Sequence, residues 1–203
     1  MAEQSAPTIT ADEALARLKE GNERFVRGAA RFPTVQKEIL ASLAAGQRPY
    51  ATIIGCSDSR VPPELIFDAG FGELFIVRVA GAVMMPAVMG TIQYAALYLG
   101  TPLFVVLGHE GCGAVDAALA VIRHDAWMPP HIAALLDHIV PGLDLPAGLS
   151  AEEERAAATE ANVRWSMRQI LETPDGKARA EDGWMKLVGG VYELETGRVR
   201  FLD

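Results

Sequence analysis

The sequence predicts a single α/β domain, in which helices flank a mainly parallel central β-sheet and an N-terminal helical arm precedes it. Three observations carry this prediction. Short apolar, partly β-branched runs at 50–55, 73–79, 102–107 and 185–192 are typical of buried strands. Segments with helical periodicity separate these runs. No glycine- or serine-rich join and no internal repeat divides the chain, so one domain spanning 1–203 is expected.

The N-terminal helical arm, about 8–47, is predicted to begin with an amphipathic helix. Thr10 and Glu13 have the spacing of a capping box at its start. The apolar stripe behind them suits packing on the chain's own core or across a partner subunit, and the sequence leaves both open. Its members are Ala14, Leu15, Leu18 and Phe25. A second helix is expected at 34–45.

Two further helices follow from the pattern of the remaining chain. Helical periodicity is found at 86–99, and a long alanine-rich, charged helix is predicted at 150–171, beginning with a capping box. Connections of helix length suit parallel strands, so the first three strands are expected to form a parallel core. The polar stretch 173–183 is expected to be a loop, and 195–198 a hairpin turn.

Composition restricts the partners that the protein could have. The net charge is −8, and no basic stripe is present that could neutralise phosphates, so nucleic acid is not expected as a partner. The first ten residues lack a basic segment followed by an apolar one, and no window reaches the roughly 20 apolar residues that span a bilayer. A soluble, cytoplasmic protein without membrane contact is therefore expected.

The two cysteines lie in glycine-flanked segments that follow predicted strands. Cys-Ser-Asp-Ser-Arg at 56–60 comes directly after the first strand, and His-Glu-Gly-Cys-Gly at 109–113 follows the third. The carboxyl ends of strands in an open α/β sheet form a common crevice. Cys56, His109 and Cys112 would supply the three protein ligands of a catalytic zinc site with one open position. The alternative is that each cysteine is a small buried apolar residue.

Asp58 and Arg60 lie two and four residues after the first cysteine. A carboxylate this close could ligate the zinc ion itself and exclude water, whereas a two-pronged pairing with the Arg60 guanidinium would hold it aside. Asp58 could thus act as a gate. The alternative interpretation is an ordinary salt bridge that orders the loop.

The two motifs resemble the signature motifs of β-class carbonic anhydrases. The resemblance covers nearly the whole chain, from Gly-Asn-x-Arg-Phe at 21–25 to Gly-Gly-Val-Tyr at 189–192 and Thr-Gly at 196–197. It implies reversible hydration of carbon dioxide to bicarbonate and a proton by zinc-bound hydroxide. It also implies that Cys56, His109 and Cys112 hold Zn²⁺.

In this family the matching Asp58 and Arg60 form the catalytic dyad. Gln47 falls where many members place a glutamine that donates a hydrogen bond to the substrate, although a surface amide is an equal alternative. The resemblance further implies a homo-oligomer, either a homodimer or a tetramer of dimers. Rival interpretations are hydrolysis of carbonyl sulfide or carbon disulfide at the same site, a non-catalytic zinc-stabilised binding protein, and a reversible thiol pair.

One segment departs from the family pattern. Many members have Arg-Asn-Ala-Gly-Asn after the second strand, whereas this chain has Arg-Val-Ala-Gly-Ala at 78–82, without either amide. The polar contacts around this segment must therefore differ from the usual ones. Some bacterial members also place a tryptophan of a regulatory bicarbonate pocket where this chain has Ile53, so that kind of inhibition is not expected.

Overall fold

A five-stranded sheet forms the centre of the protein, as seen in a computed structural model that describes residues 9–31, 40–41 and 43–202. The strands are β1 (Ala51–Gly55), β2 (Leu74–Arg78), β3 (Leu103–His109), β4 (Lys186–Tyr192) and β5 (Val199–Leu202). Their order across the sheet is β2-β1-β3-β4-β5. The first four run parallel, and β5 pairs antiparallel with β4. The predicted α/β class with a mainly parallel sheet is confirmed.

Helices cover both faces of this sheet. The described residues form α1 (Ala11–Val26), α2 (Pro63–Ile66), α3 (Pro86–Tyr94), α4 (Gly113–His124), α5 (Pro130–Leu136), α6 (Ala151–Leu171) and α7 (Pro174–Glu181). A π-helical segment, Ala95–Leu99, continues α3, and short 3₁₀ turns occur at Ala80–Ala82 and Val140–Gly142. None of the described helices combines the length and apolarity needed to cross a bilayer.

The central strand β3 explains why the sequence contains a continuous apolar run rather than an alternating one. Leu103, Val105 and Leu107 pack into the same cluster as residues of α1 and α2. Phe104 and Val106 point to the other face, into a cluster with residues of α3 and α6. All five are fully buried. A strand that is covered on both faces needs apolar side chains at every position.

Several local predictions are confirmed. Both capping boxes are formed, one by Thr10 and Glu13 before α1 and one by Ser150 and Glu153 before α6. The chain reverses between β4 and β5 through a turn in which the Glu193 amide donates to the Arg198 carbonyl (2.9 Å) and the Gly197 amide to the Glu193 carbonyl (2.9 Å). The apolar stripe of α1 packs on the chain's own core, since Ala14 and Leu18 are fully buried.

The prediction of a loop at 173–183 is wrong, because α7 occupies most of this stretch. Thr173 caps it by accepting a hydrogen bond from the Gly176 amide (3.0 Å), and Pro174 stands at the first helical turn, where its missing N–H is harmless. The segment has little apolar periodicity, so capping and contact with α6 determine the helix. The second predicted helix, at 34–45, lies mostly outside the described residues.

Candidate metal centre

The strand register brings the two cysteine motifs to one edge of the sheet. β1 and β3 are neighbouring parallel strands, and Gly55 at the end of β1 lies opposite Leu107. Cys56 follows β1 directly, His109 is the last residue of β3, and Cys112 is the N-cap residue of α4. Neighbouring strands are about 4.8 Å apart. The three side chains therefore meet at the carboxyl edge of the sheet.

Three potential ligand atoms converge there at distances that suit one ion. The Sγ atoms of Cys56 and Cys112 are 4.0 Å apart, and these sulfurs and an imidazole nitrogen of His109 all lie within 4.8 Å of one another. With Zn–S distances of about 2.3 Å, two sulfurs on a tetrahedral zinc ion are about 3.8 Å apart. All three residues line a small cavity of about 10 Å³. The donor set and its spacing fit zinc.

His109 is held in the form that a metal ligand requires. The ring is fully buried, and its Nδ1 lies 2.8 Å from the Glu110 carbonyl oxygen. A carbonyl can only accept, so Nδ1 donates, and in the neutral ring the lone pair is on Nε2. Nε2 makes no hydrogen bond of normal geometry. Burial alone would lower the pKa of the ring, but the nearby Cys56 sulfur and the Glu110 carbonyl outweigh it, and the pKa is raised. A buried polar atom without a partner costs about 1–3 kcal/mol, and a metal ion would remove that cost.

The two thiols form a coupled pair. The Cys112 thiol donates to the Cys56 sulfur, which lowers the pKa of Cys56 to about 4, and the Gly81 amide, 3.4 Å from this sulfur, acts in the same direction. The same hydrogen bond raises the pKa of Cys112 above its ordinary value. Cys56 is thus the sulfur that loses its proton first. A dication bound by two thiolates would take the place of the thiol protons.

Asp58 and Arg60 pair at the mouth of this cluster. The Asp58 carboxylate accepts hydrogen bonds from Arg60 Nε (2.9 Å) and Nη2 (2.7 Å) and from the Arg60 backbone amide (2.9 Å). These bonds hold the pKa of Asp58 well below its usual range. Arg60 Nη2 also donates to the Gly111 carbonyl (3.2 Å). The second carboxylate oxygen of Asp58 is 3.9 Å from His109 Nε2, so the carboxylate lies beside the cluster.

Arg78, which the sequence argument did not single out, fixes the segment that carries Cys56 and Asp58. Its Nε donates to the Cys56 carbonyl (2.8 Å) and its Nη2 to the Asp58 carbonyl (2.5 Å). The available signal was its position at the end of β2, the strand beside β1. A guanidinium that binds two carbonyls of one loop restricts how that loop can move.

Gln47 does not join the cluster. It lies on an exposed segment before β1, at the end of that strand opposite to Cys56. It lines a separate groove of about 870 Å³, together with Arg17, Tyr50 and Glu73. The structure therefore brings together Cys56, Asp58, Arg60, His109 and Cys112, and leaves Gln47 apart.

Comparisons with known proteins agree on one family. The sequence model of the carbonic anhydrase family matches residues 51–199. Carbonic anhydrase 2 of Mycobacterium tuberculosis is 41% identical over 189 residues, which cover 92% of this chain and 90% of the relative. The carbonic anhydrase of Pseudomonas aeruginosa is 37% identical over 194 residues, covering 91% of this chain and 86% of the relative.

Solved structures give the same result. The β-carbonic anhydrase CcaA has a TM-score of 0.77 at 28% identity and covers 93% of this chain and 87% of its own. A β-carbonic anhydrase of Coccomyxa, solved with acetazolamide, has a TM-score of 0.74 at 27% identity, with coverages of 93% and 86%. Tetrameric β-carbonic anhydrases from Sordaria macrospora reach 0.72 at 25% identity, with coverages of 91% and 94%.

Proposed function

Because the chain belongs to the β-class carbonic anhydrases, we propose that it hydrates carbon dioxide reversibly to bicarbonate and a proton at a zinc ion held by Cys56, His109 and Cys112. One observation carries the choice of site. A buried imidazole nitrogen without a hydrogen-bond partner lies against two cysteine sulfurs, at the spacing of ligands around one ion. Two sulfur donors and one nitrogen donor favour zinc over magnesium or calcium, which prefer oxygen ligands.

A bound zinc ion would polarise a water molecule in its open position and so supply the nucleophile for the carbon atom of CO₂. The protein's own part is to hold two thiolates and a neutral imidazole in place. The Glu110 carbonyl fixes the His109 tautomer. Two thiolates donate more charge than two imidazoles would, so we expect a working range shifted to alkaline pH.

Asp58 and Arg60 serve in this proposal as the gating and catalytic dyad. Their two-pronged pairing keeps the Asp58 carboxylate ionised and turned toward Arg60. Released from Arg60, the same carboxylate is close enough to the cluster to act as a fourth protein ligand and exclude water. Acidic conditions would favour the ligating position and alkaline conditions the paired one. Crystal structures at acidic and alkaline pH with identical Asp58 positions would contradict the gate.

Gln47 is proposed to contact substrate only across a subunit boundary. The metal centre of the same chain lies at the opposite end of β1 from Gln47. The Gln47 amide would therefore reach the metal centre of a second copy of the chain. We therefore propose a homodimer or a tetramer of dimers in the cytoplasm, in line with the tetrameric relatives. Light scattering on the purified protein tests the assembly. A monomer that keeps full activity would remove this role from Gln47.

The decisive experiment combines metal analysis with an assay. The purified, reduced protein is expected to contain about one zinc ion per chain and to accelerate CO₂ hydration in a stopped-flow indicator assay. Carbonyl sulfide and carbon disulfide are offered in parallel. Protein without stoichiometric zinc would overturn the proposed site. Turnover of the sulfur compounds but not of CO₂ would overturn the proposed substrate.

A further inference from the structure

The turn after β2 has an unusual backbone for its sequence. Gly81 and Ala82 both have positive φ angles, 67° and 52°. Glycine adopts this left-handed conformation readily, but alanine does so at a cost of roughly 1–2 kcal/mol. Some other contact must therefore hold this turn in the present chain.

Two buried polar side chains of α6 provide that contact. Asn162 donates from Nδ2 to the Gly81 carbonyl (2.8 Å), and Ser166 donates from Oγ to the Ala82 carbonyl (3.3 Å). The two residues are four positions apart and so lie on one face of the helix. Asn162 is 5% exposed and Ser166 1%. A helix thus binds two successive carbonyls of a strained turn.

Only one of these two contacts leads to the metal centre. The Gly81 amide donates to the Sγ of Cys56 (3.4 Å), so the residue that Asn162 holds by its carbonyl touches a proposed zinc ligand by its N–H. The fit around Gly81 is close. A side chain there would approach Ile139 Cδ1 to 2.6 Å and Ala114 Cβ to 3.1 Å.

Asn162 also borders the cluster directly. It lines the same small cavity as Cys56, His109 and Cys112. Its Oδ1 is buried without a hydrogen-bond partner, so the amide orientation is set by the single bond from Nδ2 to Gly81. Donation by a backbone N–H stabilises a thiolate and restricts its position, as outer-shell contacts of metal ligands generally do.

We infer that Asn162 is a positioning residue for the metal centre: through Gly81 it aims a backbone N–H at Cys56 and so orients this sulfur for zinc. The inference rests on the proposed zinc site. It assigns a role to a helix residue outside both cysteine motifs. It also explains how this chain holds a turn with an alanine in the left-handed conformation.

The test compares Asn162→Leu with Ser166→Ala in the zinc-loaded enzyme. Leucine has a similar volume but no donor, and Ser166→Ala removes a hydrogen bond to the same turn that does not lead to Cys56. We expect the zinc dissociation constant, measured by chelator competition, to rise about tenfold in Asn162→Leu. It should stay within about twofold of wild type in Ser166→Ala. The cobalt-substituted Asn162 variant should show a shifted thiolate-to-metal absorption band.

The outcomes separate the inference from the proposed function. Wild-type protein that binds no zinc would overturn the zinc site itself. If wild type binds zinc but both variants release it equally, or neither does, Asn162 has no particular role and the inference fails. Circular dichroism checks that each variant is folded. Should Asn162→Leu fail to fold, the smaller Asn162→Ala is judged by the same two measurements.

Discussion

Two buried polar regions of this protein differ in how completely their hydrogen bonds are made. The α1 lock, defined as Asn22, Arg24 and Asp68, joins the first helix to the core. Asn22 donates to the Ile66 and Gly197 carbonyls (3.2 and 2.8 Å) and accepts from the Val199 amide (2.9 Å). At the metal centre, His109 Nε2 makes no hydrogen bond of normal geometry, and the cysteine sulfurs contact each other and the Gly81 amide at the longer distances of 4.0 and 3.4 Å.

The comparison shows how a binding site differs from a structural network. In the α1 lock the Asn22 amide and both oxygens of the Asp68 carboxylate are paired with groups of the same chain. A single atom without a partner is not sufficient evidence of a site, because the buried Thr52 and Thr101 hydroxyls also lack partners. What distinguishes the metal centre is that several donor atoms converge on one point.

The largest effect is expected from removing one of the three ligand atoms that converge at the metal centre. Cys56→Ser replaces a thiolate with a hydroxyl that stays protonated, so zinc affinity should fall by more than the 10- to 100-fold typical of outer-shell changes. CO₂ hydration should fall to the uncatalysed rate. Metal content and stopped-flow assays measure both. Ser57→Ala, an exposed neighbour, is the control. Full zinc occupancy in Cys56→Ser would contradict the assignment.

A large loss of activity without loss of metal is expected for Arg60→Ala. The substitution removes the partner of Asp58 but no ligand, so kcat/KM should fall about 100-fold while zinc content stays the same. Arg60→Lys keeps the charge but not the planar fork and should also be impaired. Equal zinc loss in Arg60→Ala and Cys56→Ser would refute this division of roles.

Breaking the α1 lock should instead lower stability. Burial alone would raise the pKa of Asp68, but hydrogen bonds from Arg24 and Arg31 outweigh it, and the pKa is lowered. The stabilisation is therefore complete above the unfolded-state pKa of about 3.9 and is lost as the pH falls through the folded-state value. Asp68→Asn should lower the free energy of unfolding by about 2 kcal/mol at neutral pH.

Urea unfolding at neutral and acidic pH measures the difference in the free energy of unfolding between wild type and Asp68→Asn. This difference should become smaller at acidic pH, because the Asp68 carboxylate of the wild type becomes protonated. The matched control is Asp12→Asn, which removes an exposed ion pair with Lys186 and should change nothing measurable. A difference between Asp68→Asn and wild type that is independent of pH would show that the charge of Asp68 is not the cause. Zinc content should remain at the wild-type level.

The smallest effect is expected at the turn after β2, which contacts the metal centre and α6. Ala82→Gly relieves the left-handed strain of an alanine, and this gain exceeds the entropic cost of glycine. The melting temperature should rise by about 2 °C. Ala80→Gly lies in the same turn without a positive φ, so it should be neutral or destabilising. Equal shifts in both variants would remove strain as the explanation.

The sequence predicts what depends on local pattern. Continuous apolar runs identify buried parallel strands, and the position of Cys56 and His109 just after or at the ends of two such strands predicts that they meet. The capping boxes are equally local. The α7 helix is not predicted because its sequence has little apolar periodicity. Thr173 and Pro174 are a local start signal for it, but its contact with α6 is a feature of the fold.

Contacts between distant segments account for the remaining misses. Asn162 and Ser166 look like ordinary polar positions of a charged helix, and only the packing of α6 shows that they are buried against the turn after β2. Arg78 likewise acquires its role from a neighbouring strand. Gln47 lies at the end of β1 opposite to Cys56, so its contact with substrate stays a prediction that depends on a second copy of the chain.

The span of chain between the two cysteines has a thermodynamic consequence. Cys56 and Cys112 are 56 positions apart, and the segment between them contains β2, α3 and β3. An ion coordinated by both would act as a cross-link that closes this loop. Closing a loop of that length lowers the entropy of the unfolded chain and so raises its free energy by roughly 4 kcal/mol at room temperature. The catalytic ion would thus also stabilise the fold of the segment that joins β1 to β3. The melting temperature of the protein would then rise with the fraction of chains that hold the ion.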